Sequence, residues 1–375
     1  MAARSIVQKL GNRVKEVAKN KSSSWWYTPH MAAASRAIAE RIPLVDLVLE
    51  IRDARVPLSS GCNHLGALLS SSRRIIVLNK MDLAKQSNVK EWTTYFDQQN
   101  CVSFGVNAHN KDNIHEFLNF LQARVRELTK TTRSDHTCTI MLVGIPNVGK
   151  SALANSLHQV GRISAAEKGK LKHAIVSPEP GETRNISSLK IASHPNIYVL
   201  DTPGILPPEI LTDEVCLKLA LTGAINDYIV GKIELAKYFL SVLNRSDEYK
   251  KWEKFTAIGN INNENEASAS SHMERSRRRQ NDHTQDFIVN DVRGALYNAV
   301  SSFNGDLENE EDLLELIEAE FSKLRNAFRI GLQSAAEEHD DDRRHSSSSK
   351  VAIKLLDLYR TGRLGHYILD SSIPS

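Results

Sequence analysis

The residues best equipped to do chemistry lie in Gly144-Ile145-Pro146-Asn147-Val148-Gly149-Lys150-Ser151. This is a G-x-x-x-x-G-K-S run, set between an apolar stretch (Ile140, Met141, Leu142, Val143) and a helical pattern from Ser151 to Leu157. Strand, glycine-rich turn and helix in that order form the context of a phosphate-binding loop. Gly144 and Gly149 let the backbone curl, so that N–H groups of Asn147, Val148, Gly149, Lys150, Ser151 and Ala152 can turn toward phosphate oxygens. Lys150 supplies a mobile positive charge near the β- and γ-phosphates, and the Ser151 hydroxyl is suited to Mg²⁺. The following helix adds its N-terminal dipole. A chance glycine-rich turn would not need every fixed position in that context.

Three further groups suit a guanine nucleotide. Asn79-Lys80-Met81-Asp82 is N-K-x-D at the end of an apolar run. A buried Asp82 carboxylate can accept from both the N1–H and the exocyclic amine of guanine, a donor pair that adenine lacks. The wrong base would leave buried polar groups unpaired. Lys80 can lay its stem over the base, Asn79 can tie this loop to the phosphate loop, and a backbone N–H of Asn107-Ala108 can meet guanine O6. Asp201-Thr202-Pro203-Gly204 offers a carboxylate that can hold Mg²⁺ through water and a Gly204 N–H that can reach the γ-phosphate. Between these, Thr183 in Pro180-Gly181-Glu182-Thr183 could close on Mg²⁺ only when the γ-phosphate is present. A threonine after Pro-Gly is otherwise an ordinary turn residue.

The elements that must position these residues follow from periodicity. Strands are expected at Leu44–Ile51, Arg73–Leu78, Cys101–Val106, the run before Gly144, Ile186–Ile191 and Asn196–Leu200; helices at Ala32–Arg41, Val89–Gln99 and Asn113–Lys130. Alternating strands and helices predict an α/β fold with a parallel-sheet core and ligands at the strands' carboxyl ends. Beyond Ile205 the pattern turns helical: Leu211–Ile225, Lys232–Leu243, Ile288–Val300, Leu313–Phe328 and Val351–Tyr359. The expected organisation is a basic segment over 1–24, a nucleotide domain over 25–208 and a helical domain over 209–375. Disorder is expected at about 260–286 and 334–350, which are polar and poor in apolar residues. Asp53-Ala54-Arg55, at a strand's carboxyl end, reads as an ion pair beside the nucleotide site, with steering of switch elements as the alternative.

Composition adds exclusions. The 375 residues carry a net charge of +3, and no apolar run reaches the length of a membrane span. The four cysteines are widely spaced without C-x-x-C, which supports neither a zinc site nor a disulfide framework. Residues 1–24 set Arg4, Lys9, Arg13, Lys15, Lys19 and Lys21 against Glu16 alone, with Ile6, Val7, Leu10, Val14 and Val17 at helical spacing. This is the pattern of a mitochondrial targeting segment, or of a basic helix that touches RNA.

The motif order is unusual, because the base loop precedes the phosphate loop. Asn244-Arg245-Ser246-Asp247 downstream would restore the usual order, but it lacks the lysine and lies in a helical stretch. The series DARVPLSS, NKMD, VNA, GIPNVGKS, PGET and DTPG resembles the circularly permuted GTPases of the YlqF/YawG branch, and most of all the mitochondrial DAR GTPases. The similarity runs from about Trp25 to Ile205 and returns in RTGRLGHYILD. That resemblance implies a P-loop GTPase domain with permuted motif order, GTP/GDP and Mg²⁺ as ligands, slow hydrolysis, and action on the large ribosomal subunit and its rRNA. It also implies a helical domain that docks on rRNA. A monomer in the mitochondrial matrix is expected, with plastid or cytoplasm as alternatives and peripheral contact with an organelle membrane open. Ile205 stands where Ras-like enzymes place a water-orienting glutamine. Asn147 could hold a K⁺ in place of an arginine finger, and His30 matches a histidine implicated in hydrolysis in bacterial relatives. Here the family's Pro-Gly before that histidine reads Thr28-Pro29. A helix-start residue without catalytic duty is the other reading of His30.

Overall fold

The computed structural model describes residues 27–62, 71–130, 137–164, 174, 176, 185–207, 212–255, 283–330 and 340–370. A six-stranded sheet carries the first half. Its strands are β1 (Leu47–Asp53), β2 (Arg74–Asn79), β3 (Val102–Val106), β4 (Cys138–Val143), β5 (Ser187–Ser193) and β6 (Asn196–Asp201), in the order β3-β2-β1-β4-β6-β5. All neighbours pair parallel except β5, which returns antiparallel on β6 at the edge. The expected sheet is therefore present, with one hairpin at its margin.

Strand order carries the functional consequence. From β1 the chain winds outward through β2 to β3, then returns to lay β4 on the other side of β1. The winding reverses between β1 and β4, and in folds of this kind the loops that follow two such strands are where a ligand binds, outside the carboxyl ends. Both strands read as apolar runs because both faces are covered: β1 is buried throughout, and Ile140 to Val143 are fully enclosed. Register aligns Asp53 with Asn79.

Helices follow the apolar periodicity. α1 spans Pro29–Arg41, α2 Gln86–Gln98, α3 Lys111–Lys130 and α4 Lys150–Ser164. The predicted stripe of α3, Ile114, Phe117, Leu118, Leu121 and Val125, is buried. α1 begins three residues earlier than expected, because Thr28 caps it by accepting from the Met31 N–H at 3.2 Å and Pro29 occupies its first turn.

The described residues divide into two compact units. One comprises the sheet with α5 (Asp213–Leu221), as far as Asn226, together with tail residues 367–370; the other runs from Asp227 to His366. The sheet unit thus continues past the expected boundary at 208. Thr222, Gly223 and Asp370 all bond within it, which is why the tail and α5 group there.

The second unit contains α6 (Lys232–Asn244), α7 (Asp286–Ser301), α8 (Glu310–Ala327) and α9 (Asp340–Arg360). Leu235, Phe239, Leu296, Ile317, Leu324 and Leu355 are among its buried residues. One expectation is corrected. Residues 340–350, read as disordered, form the first part of α9. Once Val351 to Tyr359 hold a helix by packing, each further turn needs only its own hydrogen bonds. The remainder of that expectation and nearly all of the stretch from 260 to 286 lie outside the described residues. Asn244 ends α6 with its side chain buried against α8, which supports excluding it as a base reader. Among the described residues no helix is long and apolar enough to cross a membrane.

Candidate functional site

The phosphate loop follows β4 directly. Gly149 adopts φ +92°, and a Cβ there would fall 2.3 Å from Asn79 Nδ2, so only glycine fits. Asn147 is left-handed at φ +58°, a region asparagine tolerates. Lys150 is buried, and its Nζ donates to the carbonyls of Gly144 at 3.0 Å and Ile145 at 2.8 Å. Burial pushes the Lys150 ammonium down to about 8, partly offset by Asp201. A desolvated ammonium whose hydrogen bonds among the described residues go to neutral carbonyls would gain by meeting a phosphate oxygen.

Asp201, at the end of β6, accepts from Ser151 Oγ at 2.7 Å. Burial raises its carboxyl, with Ser151 and Lys150 opposing. Its Oδ1 is buried with no hydrogen-bond partner among the described residues. The Ser151 hydroxyl and the Asp201 carboxylate, with its buried Oδ1 unsatisfied among the described residues, lie beside the first turn of α4 and suit a hard divalent cation such as Mg²⁺. Gly204 lies against the phosphate loop: a Cβ there would fall 2.5 Å from Pro146 Cα. The next N–H, from Ile205, donates to Gly144 O at 3.2 Å, and the Ile205 side chain is buried. Asp201 and Gly204 therefore face the loop that Lys150 and Ser151 build.

The base-reading loop, distant in sequence, meets the same loop. Asn79 Nδ2 donates to Val148 O at 2.8 Å, and Lys80 Nζ donates to Asn147 O at 2.5 Å. Lys80 is left-handed at φ +60°, which turns the chain into the short helical turn Met81–Leu83. Asp82 sits on that turn, exposed rather than buried as expected. A base laid against this turn would be what removes Asp82 from water. In the neighbouring loop the Asn107 N–H is committed to Asn113 Oδ1 at 2.7 Å, so Ala108 is the candidate donor to O6. The Ala108 carbonyl accepts from Ser156 Oγ on α4 at 2.7 Å, which fixes this loop to the phosphate-loop helix.

Two expected residues stand apart. Thr183 lies outside the described residues. His30 is exposed on the first turn of α1.

Sequence reasoning missed how this site is wired. Asp53 accepts from Arg55 Nε at 2.9 Å and Nη2 at 2.8 Å, and also lies 3.0 Å from Lys80 Nζ. The expected Asp–Arg pair exists, yet it is a triad that includes the base-loop lysine. Burial alone would raise the Asp53 carboxyl, but Arg55 and Lys80 outweigh it and hold it well below the ordinary carboxylate range. Arg55 Nη2 reaches Thr222 O at 3.5 Å, and Asn147 Nδ2 donates to Gly223 O at 2.9 Å. The turn after α5 is thus held by both motif loops. Asp370 of the tail accepts from the N–H groups of Leu58 and Ser59 at 2.8 and 3.0 Å, and lies 3.4 Å from buried Lys218. Leu369 N–H donates to Arg55 O at 2.8 Å. Spacing could not have revealed these pairs, although DAR and the closing ILD were both visible as motifs.

Known proteins align with this geometry. A family model described as "50S ribosome-binding GTPase" matches residues 139–270. "DAR GTPase 2, mitochondrial" of Arabidopsis thaliana is 54% identical over 367 residues, covering 97% of this chain and 95% of the relative. "Short integuments 2, mitochondrial", also of Arabidopsis thaliana, is 40% identical over 366 residues, covering 94% and 90%. "Ribosome biogenesis GTPase A" of Bacillus pumilus is 32% identical over 239 residues, or 62% of this chain and 80% of the relative.

Proposed function

The chain belongs to the DAR branch of the circularly permuted GTPases, and from that premise we infer that it is a mitochondrial GTP-binding and GTP-hydrolysing factor in assembly of the large ribosomal subunit. The observation that carries the nucleotide part is the junction of two distant motifs: Asn79 and Lys80 bond to the carbonyls of Val148 and Asn147. A base reader and a phosphate cradle thereby share one crevice. Ribosome assembly and the mitochondrial compartment rest on relatives whose names carry those words.

Each side chain then has a task. Lys150 exchanges two carbonyl partners for phosphate oxygens, while the N–H groups of the phosphate loop from Asn147 to Ala152 line the polyphosphate. Asp82 reads the guanine donor pair, and Lys80 forms the floor beneath the base. Ser151, Asp201 and, in the GTP-bound state, Thr183 would hold Mg²⁺, which supplies charge neutralisation at the phosphates when bound. Gly204 offers its N–H to the γ-phosphate. Ile205 cannot orient water, so intrinsic hydrolysis is slow and depends on a partner. The groups left to assist are Asn147, as a K⁺ ligand, and His30. The working form is a monomer that engages rRNA through the helical unit.

Two experiments test this reading. Asp82→Asn converts an acceptor into a donor and should shift preference from GTP toward XTP; unchanged preference in competition binding removes Asp82 as the base reader. Co-sedimentation with large mitoribosomal subunits should be stronger with a non-hydrolysable GTP analogue than with GDP, and equal loading contradicts the switch. Buried Ile205 favours a second reading, a GTP-dependent ribosome-binding protein with negligible turnover. Phosphate release that no ribosomal particle and no monovalent cation stimulates would select it.

A further inference from the structure

We propose that Asp53 is a positioning residue of the nucleotide site, which sets guanine affinity by holding the Lys80 side chain in its binding posture. The inference rests on the guanine-nucleotide reading above and adds a residue outside the base, phosphate and metal motifs.

Three observations combine. First, Lys80 Nζ is held at two points, Asn147 O at 2.5 Å and Asp53 Oδ2 at 3.0 Å. A lysine side chain has many rotamers to lose, so a stem fixed before the base arrives spares that ordering at binding. Second, Asp53 is itself buried and held at several points. Its carboxylate takes Arg55 Nε, Nη2 and backbone N–H, at 2.9, 2.8 and 3.0 Å. Its own N–H donates to Ser60 Oγ at 3.1 Å. Third, burial disfavours the charged form of Lys80, while Asp53 works in the other direction. Without that carboxylate, one of two anchors goes and Arg55 repels the ammonium. The head group then gains more by turning to water than by staying at the loop.

An ion pair serving the fold alone would lower the melting temperature and leave the folded site's affinity untouched. Action through Lys80 instead predicts non-additivity. The test is a double-mutant cycle on the full chain, with affinity and dissociation rate read from fluorescent GDP and GTP analogues. Lys80→Ala first checks the guanine-site reading: if it leaves affinity unchanged, that reading fails, and this proposal with it. Given a loss with Lys80→Ala, Asp53→Asn should weaken both nucleotides about tenfold and speed dissociation. The Asp53→Asn/Lys80→Ala pair should then bind no worse than Lys80→Ala alone. Equal losses from Asp53→Asn in both backgrounds, or no loss in either, overturn the proposal while the guanine site stands. If Asp53→Asn does not fold, because Arg55 is left buried without its counter-charge, the same cycle is run in an Arg55→Met background, with the same deciding outcomes.

Discussion

Two carboxylates, one in each unit, are removed from water almost completely, yet their surroundings drive them in opposite directions. Asp53, at the end of β1, is 2% exposed and stays ionised because Arg55 and Lys80 face it. Glu320, on α8, is fully buried, and burial pushes its carboxyl up to about 8. The Asn244 amide, donating at 3.0 Å, and Lys323 oppose that rise without cancelling it. Enclosure is the same in both places; the local cations decide. The sheet unit concentrates buried charge where a polyphosphate and a base would lie. The helical unit buries a carboxyl that is cheaper to keep protonated, as expected where packing alone is at stake.

The largest way to separate the units is Lys150→Ala. On the proposed function it would remove charge-assisted contacts to the β- and γ-phosphates, costing on the order of 3 kcal/mol, about a hundredfold, in GTP affinity and less in GDP affinity, where only the β-phosphate remains. Melting of the helical unit should not move. Retained affinity by isothermal calorimetry would take Lys150 out of the site, and the charge argument with it.

The next effect concerns pH. Because the folded pKa of Glu320 lies above its ordinary 4.5, the folded helical unit binds more protons than the unfolded chain between about 4.5 and about 8. Stability from this group is therefore full below that window and lost as pH rises through it. Asp53 runs the other way: its folded pKa is lowered from 3.8, so its contribution holds above 3.8 and is lost as pH falls below. Thermal melts across pH should show that loss between about 4.5 and about 8, and Glu320→Gln, similar in shape and neutral, should flatten it. An unchanged slope over that window in the variant would mean that Glu320 is ionised and paired, like Asp53.

A smaller effect tests the tail. Asp370→Ala removes a carboxylate that caps two backbone N–H groups and sits beside buried Lys218. Hydrogen bonds to charged groups of this kind are worth about 1.5–3 kcal/mol each at most. The sheet unit should lose roughly 2 kcal/mol in denaturant unfolding, and hydrogen exchange should quicken at Leu58 and Ser59. No change would make the tail an ornament of the sheet unit.

What could be read beforehand follows a physical divide. Interactions local in sequence were legible: the strand before Gly144, the apolar stripe of α3 and the N-K-x-D turn after β2 all rest on periodicity or fixed spacing. The two halves of the nucleotide site could be joined because motif chemistry says which loops must meet, even in permuted order. Contacts that depend on the path of the chain were not legible. Nothing in DAR says that Asp53 reaches Lys80, and nothing in ILD says that Asp370 caps the loop after β1. The start of α9 was misread for a related reason, since polar composition argues against packing but not against a helix extended from a packed end. Asp82 was expected buried from its role, whereas its exposure is set by the turn that carries it.

The smallest effect bears most directly on why the two units differ. Lys237 and Glu318 pair at 2.7 Å, closer than Lys80 and Asp53 at 3.0 Å. If distance governed the worth of an ion pair, Lys237→Ala would be among the costlier changes. Glu318 is 65% exposed, however, so water competes for both partners and salt screens what remains. The expected loss is no more than about 0.5 kcal/mol, and it should vanish in high salt. Unfolding of Lys237→Ala and wild type at low and high ionic strength measures it. A loss comparable to that from Asp370→Ala would show that geometry, not enclosure, sets the strength of these pairs, and the contrast between Asp53 and Glu320 would then need another cause.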